Sequence, residues 1–242
     1  RPVIRSRNVL FVRRAVAGSW EIPHLHDPDL EDWDAIAEET DWLRFQAAEH
    51  GIDLRQGYEI RIHPNLAGWT SLPHPISLAG SKTLLVELPF VGWPTFTEQT
   101  IFDVQAQGFR VLLAHPERYE AVMNDPDVLI PLRERGVLMQ LTTGSLAGLF
   151  GKRSKAVSEQ LLRDGWVDIL ASDAHSAGRR FVSVAEGIAV AREIVGDAGV
   201  EQLTVTNPAA ILNDADVAPV LPLRSGTNGS WKQRLRPILA RS

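Results

Sequence analysis

The feature that most restricts the fold of this chain is a repeated alternation between short, β-branched apolar runs and longer stretches with apolar residues three and four apart. Strand-like runs fall at 8–13, 57–62, 83–88, 110–114, 137–141 and 166–171, with helical patterns between them. Strands that alternate with helices are joined by crossovers and lie side by side in a largely parallel sheet. The clearest helix follows Asp27-Pro28, sets Leu30, Trp33, Ile36, Ala37 and Leu43 on one face, and stops at His50-Gly51. Further helices are expected over 98–107, 127–135, 154–163 and 184–194, with Gly108, Gly136, Gly165 and Gly196 as stops. Asn207-Pro208 reads as the cap and first turn of a short helix.

No shift in composition divides the 242 residues, so residues 1–221 are expected to form one α/β domain, followed by a basic, Pro/Gly-punctuated tail over 222–242. The longest apolar runs, Val137 to Leu141 and Trp166 to Ala171, are too short to span a bilayer, and no leader pattern opens the sequence. The expectation is a cytoplasmic protein. A net charge of -5 argues against nucleic acid as a partner, because phosphate backbones are gripped by clustered Lys and Arg. There is no cysteine, which excludes disulfides, thiolate zinc sites and a cysteine nucleophile.

Four of the expected strands end in groups that bind hard or borderline cations: Glu59, Glu87, His115, and Asp173 with His175. In a parallel barrel the carboxyl ends of the strands meet on one rim, so residues remote in sequence share a pocket there. Imidazole and carboxylate donors without sulfur suit manganese, iron, zinc or magnesium, and several carboxylates together favour more than one ion. Each residue also has a plainer reading. Period-two alternation puts Glu59 with Arg61 and His63, opposite Tyr58, Ile60 and Ile62, so Glu59 on its own reads equally as solvent-facing. Glu87 is more telling, because it interrupts the apolar sequence Leu84-Leu85-Val86-Glu87-Leu88 and needs a partner if buried. His115 alone is compatible with a strand end, and Asp173 with His175 with an ordinary turn. Arg118, Arg179 and Arg180 are suited to clamping phosphate, or to pairing on the surface with acids such as Glu117 and Glu120.

Two motifs are discounted. His24-Leu25-His26 has ligand-like spacing but is flanked by Pro23 and Asp27-Pro28, and is expected to lie in a loop with no strand to fix it. The glycine-rich run from Gly144 to Gly151, leading into Lys152-Arg153, matches neither a P-loop nor a dinucleotide fingerprint and reads equally as a tight turn.

Six segments in order carry a resemblance: Gly57-Tyr58-Glu59-Ile60-Arg61, Val86-Glu87-Leu88-Pro89, Ala114-His115-Pro116-Glu117-Arg118-Tyr119, Gln140 through Gly148, Ser172-Asp173-Ala174-His175 and Asn207-Pro208-Ala209-Ala210-Ile211-Leu212. In this order they resemble the bacterial capsule and exopolysaccharide tyrosine phosphatases of the PHP superfamily. The resemblance implies a distorted seven-stranded β/α barrel, TIM-like, holding two or three metal ions, usually manganese. It implies Glu59, Glu87, His115, Asp173 and His175 as metal ligands and Arg118 with Arg179 as holders of the phosphate. The implied reaction is in-line hydrolysis of phosphotyrosine by metal-activated water, on the tyrosine-rich tail of a kinase that controls polysaccharide export.

The sequence departs from that pattern in two places. The family's first strand ends in D-x-H-x-H, which does not occur here, and Val12-Arg13-Arg14-Ala15 stands where a second-strand histidine is expected. The expectation is therefore a barrel lacking its first strand, with weak or absent activity. Two alternatives stand beside the phosphatase: a phosphoesterase for a small substrate such as histidinol phosphate, and a non-catalytic relative that binds a phosphotyrosine tail or its kinase.

Overall fold

The structure, a computed structural model, describes residues 24–25, 33–51, 53–174 and 179–223. One sheet is built from β1 (His24–Leu25), β2 (Glu59–Arg61), β3 (Thr83–Glu87), β4 (Arg110–Ala114), β5 (Leu138–Thr142) and β6 (Ile169–Ala171). The strands lie in chain order, every neighbouring pair is parallel, and the fold is α/β. The helices are α1 (Trp33–Glu49), α2 (Leu66–Trp69), α3 (Thr97–Ala106), α4 (Glu120–Asn124), α5 (Ile130–Glu134), α6 (Thr143–Leu146), α7 (Lys152–Arg163), α8 (Arg179–Glu201) and α9 (Asn207–Leu212).

Register sorts the strand residues into two layers. Ile60 pairs with Val86, Val86 with Leu113, Leu113 with Met139 and Leu141 with Leu170, and all of these lie in the larger apolar cluster, shared with the helices. Leu85 pairs with Leu112, Leu112 with Leu138 and Gln140 with Ile169, and the apolar members of this set form a smaller cluster on the opposite face. Because side chains alternate along a strand, both faces of the sheet are buried, as parallel sheets require. Glu59 pairs with Leu85 and Arg61 with Glu87, which puts both acids in the smaller layer, apart from the helix-packed face.

Several sequence expectations are corrected. His24–Leu25 is a strand that pairs in parallel with β2, not a loop; a strand of two residues has no readable alternation, and it exists because β2 offers a free edge to pair with. The stretch 127–135 is split into a 3-10 turn over Pro126–Leu129 and the short α5, with the Asp125 carboxylate accepting from the Asp127 N–H at 3.1 Å. Ala37 is exposed although Ile36 is buried. Helix α8 starts earlier than expected, at Arg179; its helical backbone does break at the expected stop, Gly196, whose φ of 76° lies outside the helical range, and then resumes to Glu201. Asn207 lies inside α9 and does not cap it; its amide donates to Asp168 O at 2.8 Å and Ala218 O at 3.0 Å, tying β6 to the segment after α9. The expected strand at 8–13, the Val12–Ala15 comparison and most of the tail lie outside the described residues. Among the described residues no helix is long and apolar enough to cross a membrane.

Candidate metal centre

Four of the five acids and histidines singled out in the sequence meet at one place. β2 carries Glu59, β3 ends on Glu87, His115 follows β4 directly, and Asp173 lies two residues past β6. One ligand atom from each of Glu59, His115 and Asp173 lies within 4.8 Å of the others. His115 Nε2 is 2.8 Å from Glu59 Oε1 and 3.6 Å from Glu87 Oε1. All four side chains are withdrawn from water, with exposures of 2% for Glu59, 1% for Glu87, 1% for His115 and 6% for Asp173. His175 lies outside the described residues. Arg179 opens α8, its side chain outside what is described, and the same holds for Arg180.

Three buried carboxylates in one cluster are expensive unless each meets positive charge. His115 faces Glu59, Arg61 Nη1 reaches Glu87 Oε2 at 3.4 Å, and Arg118 Nη1 donates to Asp173 Oδ2 at 2.7 Å. Burial by itself would lower the His115 pKa, but the hydrogen bond and charge of Glu59 outweigh it and leave the imidazole above its usual value. Its Nδ1 is buried without a hydrogen-bond partner among the described residues. Oxygen and imidazole donors at this spacing, without sulfur and with an orphaned ring nitrogen, fit a divalent cation of the manganese, iron, zinc or magnesium group.

The backbone holds this cluster in a costly shape. His115 (φ 31°) and Asp173 (φ 49°) both occupy the left-handed region, which non-glycine residues enter rarely and which collects at functional sites. Two residues keep it there, Tyr119 and Glu117, the latter weighed above as a surface acid but fully buried here. The buried Tyr119 hydroxyl donates to Ala114 O at 2.6 Å and accepts from Leu88 N at 2.9 Å, joining the residue before His115 to the residue after Glu87. Glu117, fully buried, accepts from Thr142 N at 3.0 Å and Ser145 Oγ at 2.6 Å; burial raises its carboxyl above the usual range, against His115 and these two donors. Both lie in the same His115–Tyr119 segment as the candidate ligand. Their partners lie 5 to 31 residues away, and no local pattern announces them.

Arg118 is positioned from three sides. Besides Asp173, its Cζ sits 4.8 Å from the Phe90 ring centroid and 4.3 Å from that of Phe150. Phe150 belongs to the glycine-rich run set aside above. That run turns at Gly148 (φ 85°) and Gly151 (φ 93°), and its contribution here is an aromatic face.

A family model described as capsular polysaccharide synthesis, CpsB/CapC, matches residues 21–213. Tyrosine-protein phosphatase YwqE of Bacillus subtilis (strain 168) is 35% identical over 164 residues, covering 67% of this chain and 65% of YwqE. CapC of Staphylococcus aureus is 30% identical over 159 residues, covering 65% of this chain and 62% of CapC. This chain thus spans slightly less than two thirds of the length of these curated relatives. A chain from the crystal structures of YwqE from Bacillus subtilis and CpsB from Streptococcus pneumoniae, described as unique metal-dependent tyrosine phosphatases, superposes with a TM-score of 0.74 at 30% identity, covering 84% of each chain.

Proposed function

Because this chain belongs to the capsular polysaccharide synthesis CpsB/CapC family, we propose that it is a metal-dependent phosphoester hydrolase acting on protein phosphotyrosine. One observation carries the reading: Glu59, His115 and Asp173 converge within 4.8 Å, with the Arg118 guanidinium 2.7 Å from Asp173. Glu59, Glu87, His115, Asp173 and His175 would hold manganese, and a bound divalent ion supplies activated water and charge neutralisation for the phosphoryl oxygens. Arg118 is held by Asp173 through Nη1 and packs over two aromatic rings, which leaves its other N–H groups to bind phosphate oxygens. Arg179, opening α8 six residues after Asp173, is its proposed companion.

The sheet is proposed to be part of a distorted seven-stranded barrel, in agreement with the sequential, all-parallel strand order. His24 is in register with Glu59 on the neighbouring strand, and that register is what makes it a further candidate for the family's second-strand histidine. The proposed substrate is the tyrosine-rich tail of a cytoplasmic tyrosine kinase domain that governs polysaccharide export, with the phosphatase in the same compartment.

The test is phosphate release from a phosphotyrosine peptide and from histidinol phosphate, with manganese, zinc or magnesium and with a chelator. Manganese-dependent turnover of the peptide, abolished by chelator and by Asp173→Asn, is expected. Turnover confined to histidinol phosphate would replace the substrate assignment. Peptide binding without turnover under any metal would make this chain a binding module.

A further inference from the structure

The guanidinium of Arg118 lies over two phenylalanine rings that come from different segments of the chain. Phe90 follows β3 three residues past Glu87, and Phe150 follows α6. Phe90 also stacks on the His115 ring, with centroids 5.6 Å apart and planes 21° apart, so one ring borders both a candidate ligand and the candidate phosphate holder. Its exposure is 38%, and it belongs to neither apolar layer of the sheet. Core packing therefore does not account for a large apolar ring at the edge of a buried charged cluster.

We propose that Phe90 and Phe150 form a wall that receives the aromatic ring of the substrate and makes this site select aryl over alkyl phosphate monoesters. The inference rests on the phosphatase reading above and names the residues that set its preference for an aromatic ester. A phosphate held by Arg118 carries its ester group outward past whatever borders the guanidinium, and here two aromatic rings lie within 5 Å of Cζ. A phenyl group on that phosphate meets the two rings at the range where offset and edge-to-face pairs form, whereas a short alkyl ester presents no π face and leaves Phe90 in water. The competing role is purely internal: the rings hold the guanidinium plane by cation–π contact. That role would serve aryl and alkyl ligands alike.

The experiment measures binding of phenylphosphonate and methylphosphonate to the manganese-loaded full chain by calorimetry. In parallel, kcat/KM is compared on phosphotyrosine and phosphoserine peptides of one sequence. The variants are Phe90→Leu, Phe150→Leu and Phe90→Tyr, with Val91→Ala, at a 76% exposed position, as the control. Wild type should prefer phenylphosphonate. Each leucine variant should reduce that preference about 3- to 10-fold while changing methylphosphonate binding less than about 2-fold, and Phe90→Tyr should retain it. A wild type without preference, or leucine variants that weaken both phosphonates equally, would overturn the proposal. Because Phe90 is partly exposed, its leucine variant decides the matter even if Phe150→Leu does not fold. Failure of the phosphatase reading has a separate signature: neither peptide turns over with any metal, while the phosphonate comparison is still measured.

Discussion

Tyr119→Phe removes one oxygen atom from a fully buried side chain and should report directly on how the candidate centre is built. Burial pushes the Tyr119 phenol well above its usual range, so the hydroxyl stays protonated and bridges Ala114 O and Leu88 N at 2.6 and 2.9 Å. The ring volume is unchanged, so the loss comes from hydrogen bonding alone. A buried N–H left without its acceptor costs about 1–3 kcal/mol, and the second bond contributes about 1 kcal/mol net, for a total of about 2–4 kcal/mol. For a chain of this size that corresponds to a fall in Tm of about 4–16 °C. Because the bridge holds Leu88 beside Glu87 and Ala114 beside His115, manganese affinity should also drop, by about 10-fold or more, as for other groups that orient metal ligands. Thermal melts and manganese titration calorimetry on the same preparation give both numbers. A Tm within about 1 °C of wild type together with unchanged affinity would refute the reasoning; lost stability with unchanged affinity would confine Tyr119 to the fold.

Manganese at about 100 times its Kd should stabilise the protein by about 2.7 kcal/mol, raising Tm by about 5–10 °C; Asp173→Asn and chelator should abolish the shift, and a wild type indifferent to millimolar manganese would count against the centre. Gly187→Ala should lower stability by about 1–3 kcal/mol in urea melts, because a Cβ there would meet the Thr143 backbone, with Thr143 C at 2.7 Å and Cα at 2.8 Å, and backbone on the facing helix has no rotamer to yield. Burial raises the Asp168 carboxyl above its ordinary value of 3.8, even though Arg133 lies beside it. A raised folded value means stability that is fully present below the unfolded value and lost as pH climbs through the folded one. The stability of wild type relative to Asp168→Asn should therefore decline from about pH 4 upward through that window, and a difference that is flat in pH would show that Asp168 does not titrate as described.

Much of this protein was legible as periodicity and residue type. The runs at 83–88 and 110–114 became β3 and β4 almost residue for residue, since each strand is long enough for its apolar pattern to show. Glu87 announced itself by standing inside an apolar run, and the glycines at 108, 136 and 165 take the positive φ values that end helices. His24–Leu25 failed for the opposite reason: a two-residue strand within the four residues between Pro23 and Pro28 carries no pattern, and it exists through its pairing with Glu59 and Ile60. The contacts that convert a set of candidate ligands into a centre were equally silent. Tyr119 reaches back to Leu88, Glu117 forward to Ser145, and Arg118 out to Phe90, Phe150 and Asp173.

The chain by itself therefore determined an α/β fold, a chemistry without thiols, and which side chains have donor atoms for a cation, because these follow from local spacing and atom type. Only the tertiary structure decided that Glu59, Glu87, His115 and Asp173 share one buried cluster, and which groups hold them there. That outcome depends on strand register and loop closure across dozens of residues, and no local stretch of sequence encodes either.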